Sequence, residues 1–151
     1  MYLASLGYDD SLPVAYVKTS SASSDLVLNF NVQDRGVTLL ELDVTACTTK
    51  NRQTFDTYAS ANDRLQLLES LESASAGTII VGVTVDTPEN VGDFQNIVGS
   101  FFTRYNMNLT GLQMRDKFAF IMQKGYPKKT VFERKPRYGE SLKMTIVPVG
   151  R

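Results

Sequence analysis

Residues 77–89 read GTIIVGVTVDTPE. From Thr78 to Val85 the run is nearly continuous in apolar and β-branched side chains, the pattern of a central strand buried on both faces. Gly77 punctuates its start and Asp86 its end, and the next two residues carry a helix-start signal: Thr87 as a cap and Pro88 at the favoured first position. Beyond them Val91, Phe94, Ile97, Val98 and Phe101 recur at helical spacing and form one apolar face. A buried strand feeding an amphipathic helix implies a sheet with helices packed against it.

Outward from this centre, Lys117–Gln123 is a second nearly continuous apolar run. Val14–Lys18, Leu26–Val32, Val37–Val44, Thr54–Tyr58, Thr130–Arg134 and Leu142–Val149 are strand-like runs with more alternation. Another helix is predicted just upstream of Gly77. Ser60 and Asp63 form a capping box, Leu65, Leu68 and Leu71 share a face, and Gly77 is the stop. Thr54–Tyr58 is the strand that delivers the chain to that helix. Phe55 and Tyr58 are expected to face the core, while Asp56 and Thr57 fix the turn through local side-chain bonds to the backbone, the motif serving as scaffold that holds the sheet edge near Arg35. The polar stretch KTSSASSD, residues 18–25, has strand-like sequence on both sides and reads as a connection inside one domain. Many strands with two helices predict an α+β fold spanning residues 1–151: compact, β-sandwich-like, mainly antiparallel, with two flanking amphipathic helices.

Composition narrows the chemistry. The chain has 151 residues, sixteen basic and sixteen acidic, no histidine, and Cys47 as its one cysteine. A charge balance of this kind argues against a nucleic-acid binder, which needs a basic excess to displace counterions. The basic run KGYPKKTVFERKPRYG, residues 124–139, therefore reads as a solvated loop and edge strand. Without histidine no familiar triad or Cys-His pair can be assembled, so no enzyme activity, cofactor or metal is expected. No apolar stretch approaches the roughly 20 residues of a membrane helix, and no insertion is expected. Cys47 reads as a turn residue, with an intermolecular disulfide as the alternative. The triplet Asn108-Leu109-Thr110 matches the acceptor pattern for N-glycosylation.

Four separated signatures stand in a fixed order: DRGVTLLELD at 34–43, RQTFDTYAS at 52–60, GTIIVGVTVDTPE at 77–89 and MRDKFAFI at 114–121, with a helix after each of the middle two. This order resembles the interleukin-like EMT inducer (ILEI) and PANDER family of secreted proteins. It is equally similar to the related stem domain of protein O-mannose N-acetylglucosaminyltransferase. The matching run covers residues 35–124, and GYDDSLPVAYVK at 7–18 fits the family's opening strands.

The resemblance implies a secreted, non-catalytic domain and, by the stem domain, a sugar-binding surface formed by Arg35 of DRGV, Asp86 of VTVD and Arg115 of MRDK; by its place in the sequence, Asp116, next to Arg115, is a candidate supporting residue. Chemistry suits that reading. Arginine offers a planar fork of donors, a carboxylate accepts from two neighbouring hydroxyls, and an aromatic ring (Tyr58, Tyr105 or Tyr126) can meet the C–H face of a pyranose. The alternative is a structural ion-pair cluster pinning strand ends, and the two can coexist. The expected function is that of a lectin for terminal pyranose or N-acetylhexosamine groups on glycans or glycoproteins, acting as a homo-oligomer because single lectin sites are weak. The other expectation is a cytokine-like signalling or protein-interaction module. Secreted family members carry several disulfide-bonded cysteines, and this chain, with Cys47 alone, departs from them.

Overall fold

The computed structural model describes residues 2–9, 12–19, 26–29, 34–43, 48–88 and 92–135. They form the expected α+β architecture: ten elements in the order β1 (Tyr2–Asp9), β2 (Leu12–Thr19), β3 (Leu26–Asn29), β4 (Gly36–Asp43), β5 (Thr48–Phe55), α1 (Ala61–Ser73), β6 (Ile79–Val85), α2 (Asp93–Arg104), β7 (Lys117–Gln123) and β8 (Tyr126–Lys135). The first three strands make one sheet, ordered β1-β2-β3, and the others a five-stranded sheet, ordered β5-β4-β6-β7-β8. Every strand pair is antiparallel, and the larger sheet does not close into a barrel.

The strand at residues 79–85 is central, as its unbroken apolar run requires. Ile80 packs with Val37, Leu39, Phe118, Phe120 and Met122 on the face that meets Leu67 and Leu71 of α1 and Phe94, Val98, Phe101 and Phe102 of α2. Its other side chains, Val81, Val83 and Val85, are buried together with Leu40, Thr38 and Ala119, so both faces of the sheet's centre are out of water. Aromatic rings dominate the helix side. Phe102 meets Phe120 edge-on at 5.4 Å between centroids and Phe118 at 5.7 Å, and Phe94 stacks on Phe118 at 5.9 Å. Such pairs contribute about 0.5–1.5 kcal/mol each beyond the area they bury.

Several local expectations shift. In α1 the buried seam is Arg64, Leu67 and Leu71, whereas Leu65 is 56% exposed, because the face toward the sheet begins one residue earlier than the leucine spacing implies. The α2 helix starts at Asp93 after Gly92, not at Pro88. The Thr87 hydroxyl accepts the Arg115 amide at 3.0 Å, and the Pro88 carbonyl accepts the Thr57 hydroxyl at 2.9 Å. Segment 87–88 thus ties loops together instead of capping a helix. The strand before α1 is longer and earlier than Thr54–Tyr58: β5 begins at Thr48 and is largely exposed, so it lacks the apolar signal of a strand, while Thr57 and Tyr58 lie in the turn. The run Leu142–Val149 and Cys47 lie outside the described residues.

Gly82 sits opposite Phe120 in the β6–β7 ladder, and a Cβ there would lie 2.2 Å from the Phe120 ring. Glycine at 82 is therefore the space the ring occupies. Gly82→Ala is expected to lower stability by about 1–3 kcal/mol through overpacking. Phe120→Leu in the same chain should recover part of that loss, so that in a thermal or urea melt the double variant is more stable than the sum of the single effects. Strict additivity would refute the contact.

Candidate functional site

Antiparallel order brings four chain ends to one end of the larger sheet. Gly36, where β4 begins, pairs with Val85, where β6 ends; Val37 pairs with Phe55, where β5 ends; and β7 begins alongside. The residues just outside those ends are Arg35, Asp56, Asp86 and Arg115–Asp116. Gly36 decides how closely they gather. It has φ +108°, and a Cβ would fall 2.0 Å from the Phe55 carbonyl oxygen and 2.8 Å from the Thr57 nitrogen, so no other residue fits.

The close approach delivers Arg35 to Asp56. Arg35 Nε donates to Asp56 Oδ1 at 3.0 Å and Nη2 to Oδ2 at 2.6 Å, a side-on bidentate pair with both side chains little more than one-third exposed. The guanidinium also lies over the Tyr58 ring, 5.0 Å from its centroid. Asp56 is fixed in turn: its Oδ1 accepts the Ala59 amide at 3.1 Å, and its own amide donates to Asp63 Oδ2 at 2.8 Å. That last bond modifies the expected capping box. Ser60 Oγ accepts the Asp63 amide at 3.1 Å as a cap should, but the reciprocal arm of Asp63 reaches back to Asp56 rather than to the Ser60 amide.

Across the same end, β6 and β7 separate. Backbone pairing stops at Val83–Ala119, and the buried Thr84 hydroxyl takes over, accepting the Phe118 amide at 3.1 Å and donating to the Phe118 carbonyl at 3.2 Å. Immediately beyond it stand Asp86 and Arg115, with φ +57° and +68°; Asn106 is the only other non-glycine residue with positive φ among those described. Arg115 Nε is 3.7 Å from Asp86 Oδ1, an ion pair too long for a hydrogen bond, with the side chains 49% and 44% exposed. Their left-handed backbones store strain on the order of 1–2 kcal/mol per residue. Such strain tends to gather at functional sites.

The electrostatics couple the two pairs. Arg35 is held above its ordinary pKa mainly by its hydrogen bond to Asp56, against some desolvation, with the charges of Asp56 and Asp86 adding to the rise. Asp56 is pushed below the usual carboxylate value, chiefly by the Arg35 bond and, against the effect of burial, by backbone amides including Ala59. Asp86 is therefore felt by both arginines. Two cations and two anions leave this end close to neutral, and among the described residues no group of three or more His, Cys, Asp and Glu side chains is placed to hold a metal ion.

The structure thus brings Arg35, Asp86 and Arg115 to one end of the sheet. Asp116 points elsewhere: it is 5% exposed, accepts Arg134 Nη2 at 2.9 Å and the Gln113 amide at 2.9 Å, and serves to fix the loop before β7. Of the tyrosines, Tyr58 lies at this end, against Arg35. Tyr105 is buried against Phe101, with its hydroxyl accepting the Gly125 amide, and Tyr126 lies at the opposite end of β7. Asp56, expected to fix its turn within a scaffold motif that holds the sheet edge near Arg35, is the direct partner of Arg35. Sequence offers no signal for that, because the pairing depends on the β4–β5 register.

Compared with protein families, residues 35–126 match the family model described as Interleukin-like EMT inducer. The comparison with curated proteins gave no match.

Two measurements probe this geometry. Because the folded-state pKa of Asp56 is depressed, the stability it contributes is present above the unfolded carboxylate value near pH 4 and is lost as pH falls through the lower folded value. Asp56→Asn should therefore be less stable than wild type at pH 7, by about 1 kcal/mol or less for a pair this exposed, and the two melting curves should converge toward pH 2–3. A constant gap across that range would contradict the assignment. Replacing either strained residue by glycine, Asp86→Gly or Arg115→Gly, should leave the melting temperature unchanged or raise it, by up to about 1 kcal/mol of relieved strain less the flexibility glycine adds to the unfolded chain. A clear loss of stability would mark the pair as structural.

Proposed function

Because the chain belongs to the interleukin-like EMT inducer family, we propose that the sheet end carrying Arg35, Asp86 and Arg115 is a carbohydrate-binding surface of a secreted, non-catalytic protein. The family supports a cytokine-like or carbohydrate-binding type of module, and the likeness of DRGV, VTVD and MRDK to the sugar-contacting positions of the transferase stem domain favours the second. The observation that carries the reading is the Asp86–Arg115 pair: half exposed, strained, and separated by more than a hydrogen bond. A structural ion pair gains little at that distance in water. A sugar edge can complete it, with hydroxyls donating to Asp86 and accepting from Arg115 and from the N–H groups of Arg35 that Asp56 does not engage. Met114, 51% exposed beside Arg115 in the chain, adds apolar surface of the kind a pyranose C–H face requires.

The near-neutral balance of charges suits a neutral terminal pyranose or N-acetylhexosamine on a glycan or glycoprotein. One such site is weak, so useful avidity calls for several copies, and the protein would act as a homo-oligomer. The cytokine-like alternative needs no sugar and would leave partner binding intact when Arg35 and Arg115 are replaced.

A glycan array with wild type and Arg115→Ala, the variant's folding verified by thermal melt, tests the reading. Selective binding lost in the variant is expected. No binding above background by wild type, or equal binding by the folded variant, would overturn the assignment of this site.

A further inference from the structure

We propose that Asn108 is an N-glycan acceptor whose occupation the fold accommodates without rearrangement, an inference that rests on the secretory reading above. The triplet Asn108-Leu109-Thr110 is the one Asn-x-Ser/Thr sequence in the chain. It lies in the loop between α2 and β7, where side chains alternate between core and solvent. Met107, Leu109 and Leu112 are each less than 5% exposed, whereas Asn108 and Thr110 are both exposed. The two residues that the modifying enzyme must read face water because the leucine between them anchors the loop inward.

The local geometry also fits the chemistry. Asn108 Oδ1 accepts the Thr110 amide at 2.9 Å, a side-chain turn that occupies the acceptor end of the carboxamide and not its nitrogen. The loop is pinned on both sides of the triplet. Asn106 Nδ2 donates to the Pro127 carbonyl at 3.2 Å, and Arg134 donates to the carbonyls of Thr110 at 2.8 Å and Gly111 at 2.7 Å. None of these bonds uses Asn108 Nδ2 or the Thr110 hydroxyl. In the transfer, Nδ2 forms a bond to the anomeric carbon of an oligosaccharide carried on a polyprenyl diphosphate. The bond from that carbon to the diphosphate oxygen breaks, the diphosphate leaves with the electron pair, and the amide nitrogen gives up one proton. The product keeps an amide Oδ1, so the turn bond to Thr110 survives modification, and the sugar is added on the water side of a fixed loop.

The test is expression of the full chain behind a secretory leader in eukaryotic cells, followed by an amidase that removes N-glycans and converts the bearing asparagine to aspartate. Wild type is expected to collapse in a single mobility step, with residue 108 recovered as aspartate by peptide mass spectrometry. Asn108→Gln and Thr110→Ala should run at the collapsed position without treatment, while Thr110→Ser should restore the shift. Chain retained in the cell is analysed in the same way from the lysate, since glycan transfer precedes export. Unmodified Asn108 in wild type from either source would overturn the inference. A glycan array run on the same material reports on the sugar site separately, so either idea can fail without the other.

Discussion

The candidate site depends on the contact between Gly36 and the backbone of Phe55–Thr57. With room for only a hydrogen at that Cα, the first residue of β4 lies directly on the end of β5, and the residues flanking the contact, Arg35 and Asp56, meet side-on. Further bonds radiate from the same turn. Thr57 donates its hydroxyl to Pro88, and the buried Arg64 of α1 donates Nη1 to the Thr57 carbonyl at 2.6 Å while Nη2 stands 3.6 Å from Asp93. The three-residue turn 56–58 thus joins β4, β5, α1, the segment after β6 and the start of α2. An arginine fork needs such a support to keep one orientation in water, since its side chain otherwise loses about 2 kcal/mol of rotamer freedom when fixed.

The two ion pairs at this end have different characters. Arg35 and Asp56 satisfy one another with two short bonds, and each has additional support, from the Tyr58 ring and from backbone amides. Asp86 and Arg115 are longer apart, more exposed and held in a backbone conformation that opposes folding. The first pair behaves as a frame and the second as a surface. The charge of Asp86 also reaches Arg35 and adds to the rise of its pKa, so the two pairs are electrostatically linked.

Much of this was legible in the sequence wherever burial imposes a pattern. The apolar run at 78–85 and the Phe94–Val98–Phe101 stripe each follow from a face that must leave water, the Ser60 cap follows from the unsatisfied amides of a helix start, and these stand as expected, whereas strand 37–44, expected to alternate, is buried on both faces from Gly36 to Leu40. What escaped were features set by partners distant in sequence. Strand β5 is an exposed edge with almost no apolar residues, so nothing in TTKNRQT announces it. The Arg35–Asp56 pair joins residues 21 positions apart through a register that the sequence does not display. The left-handed conformations of Asp86 and Arg115 carry no glycine to signal them, because they arise where β6 and β7 part and Thr84 substitutes for the missing ladder bonds.

A last constraint concerns how loops are held with only one cysteine in the chain. Cationic side chains bonded to backbone carbonyls hold several of them. Arg64 ties α1 to the 57–58 turn, Arg134 ties β8 to the 110–111 loop, and Lys124 ties the β7–β8 turn to the C-terminal end of α1 through the carbonyls of Leu71 and Glu72, where the helix dipole favours a cation. A hydrogen bond from a charged donor contributes about 1.5–3 kcal/mol, against about 2–4 kcal/mol for a disulfide. Unlike a disulfide, such a bond acts in the folded state and leaves the unfolded chain unrestricted. The carbonyls of residues 57, 58, 110 and 111 are loop acceptors and those of Leu71 and Glu72 are in the last turn of α1, so the cation both satisfies the backbone and sets the loop's position.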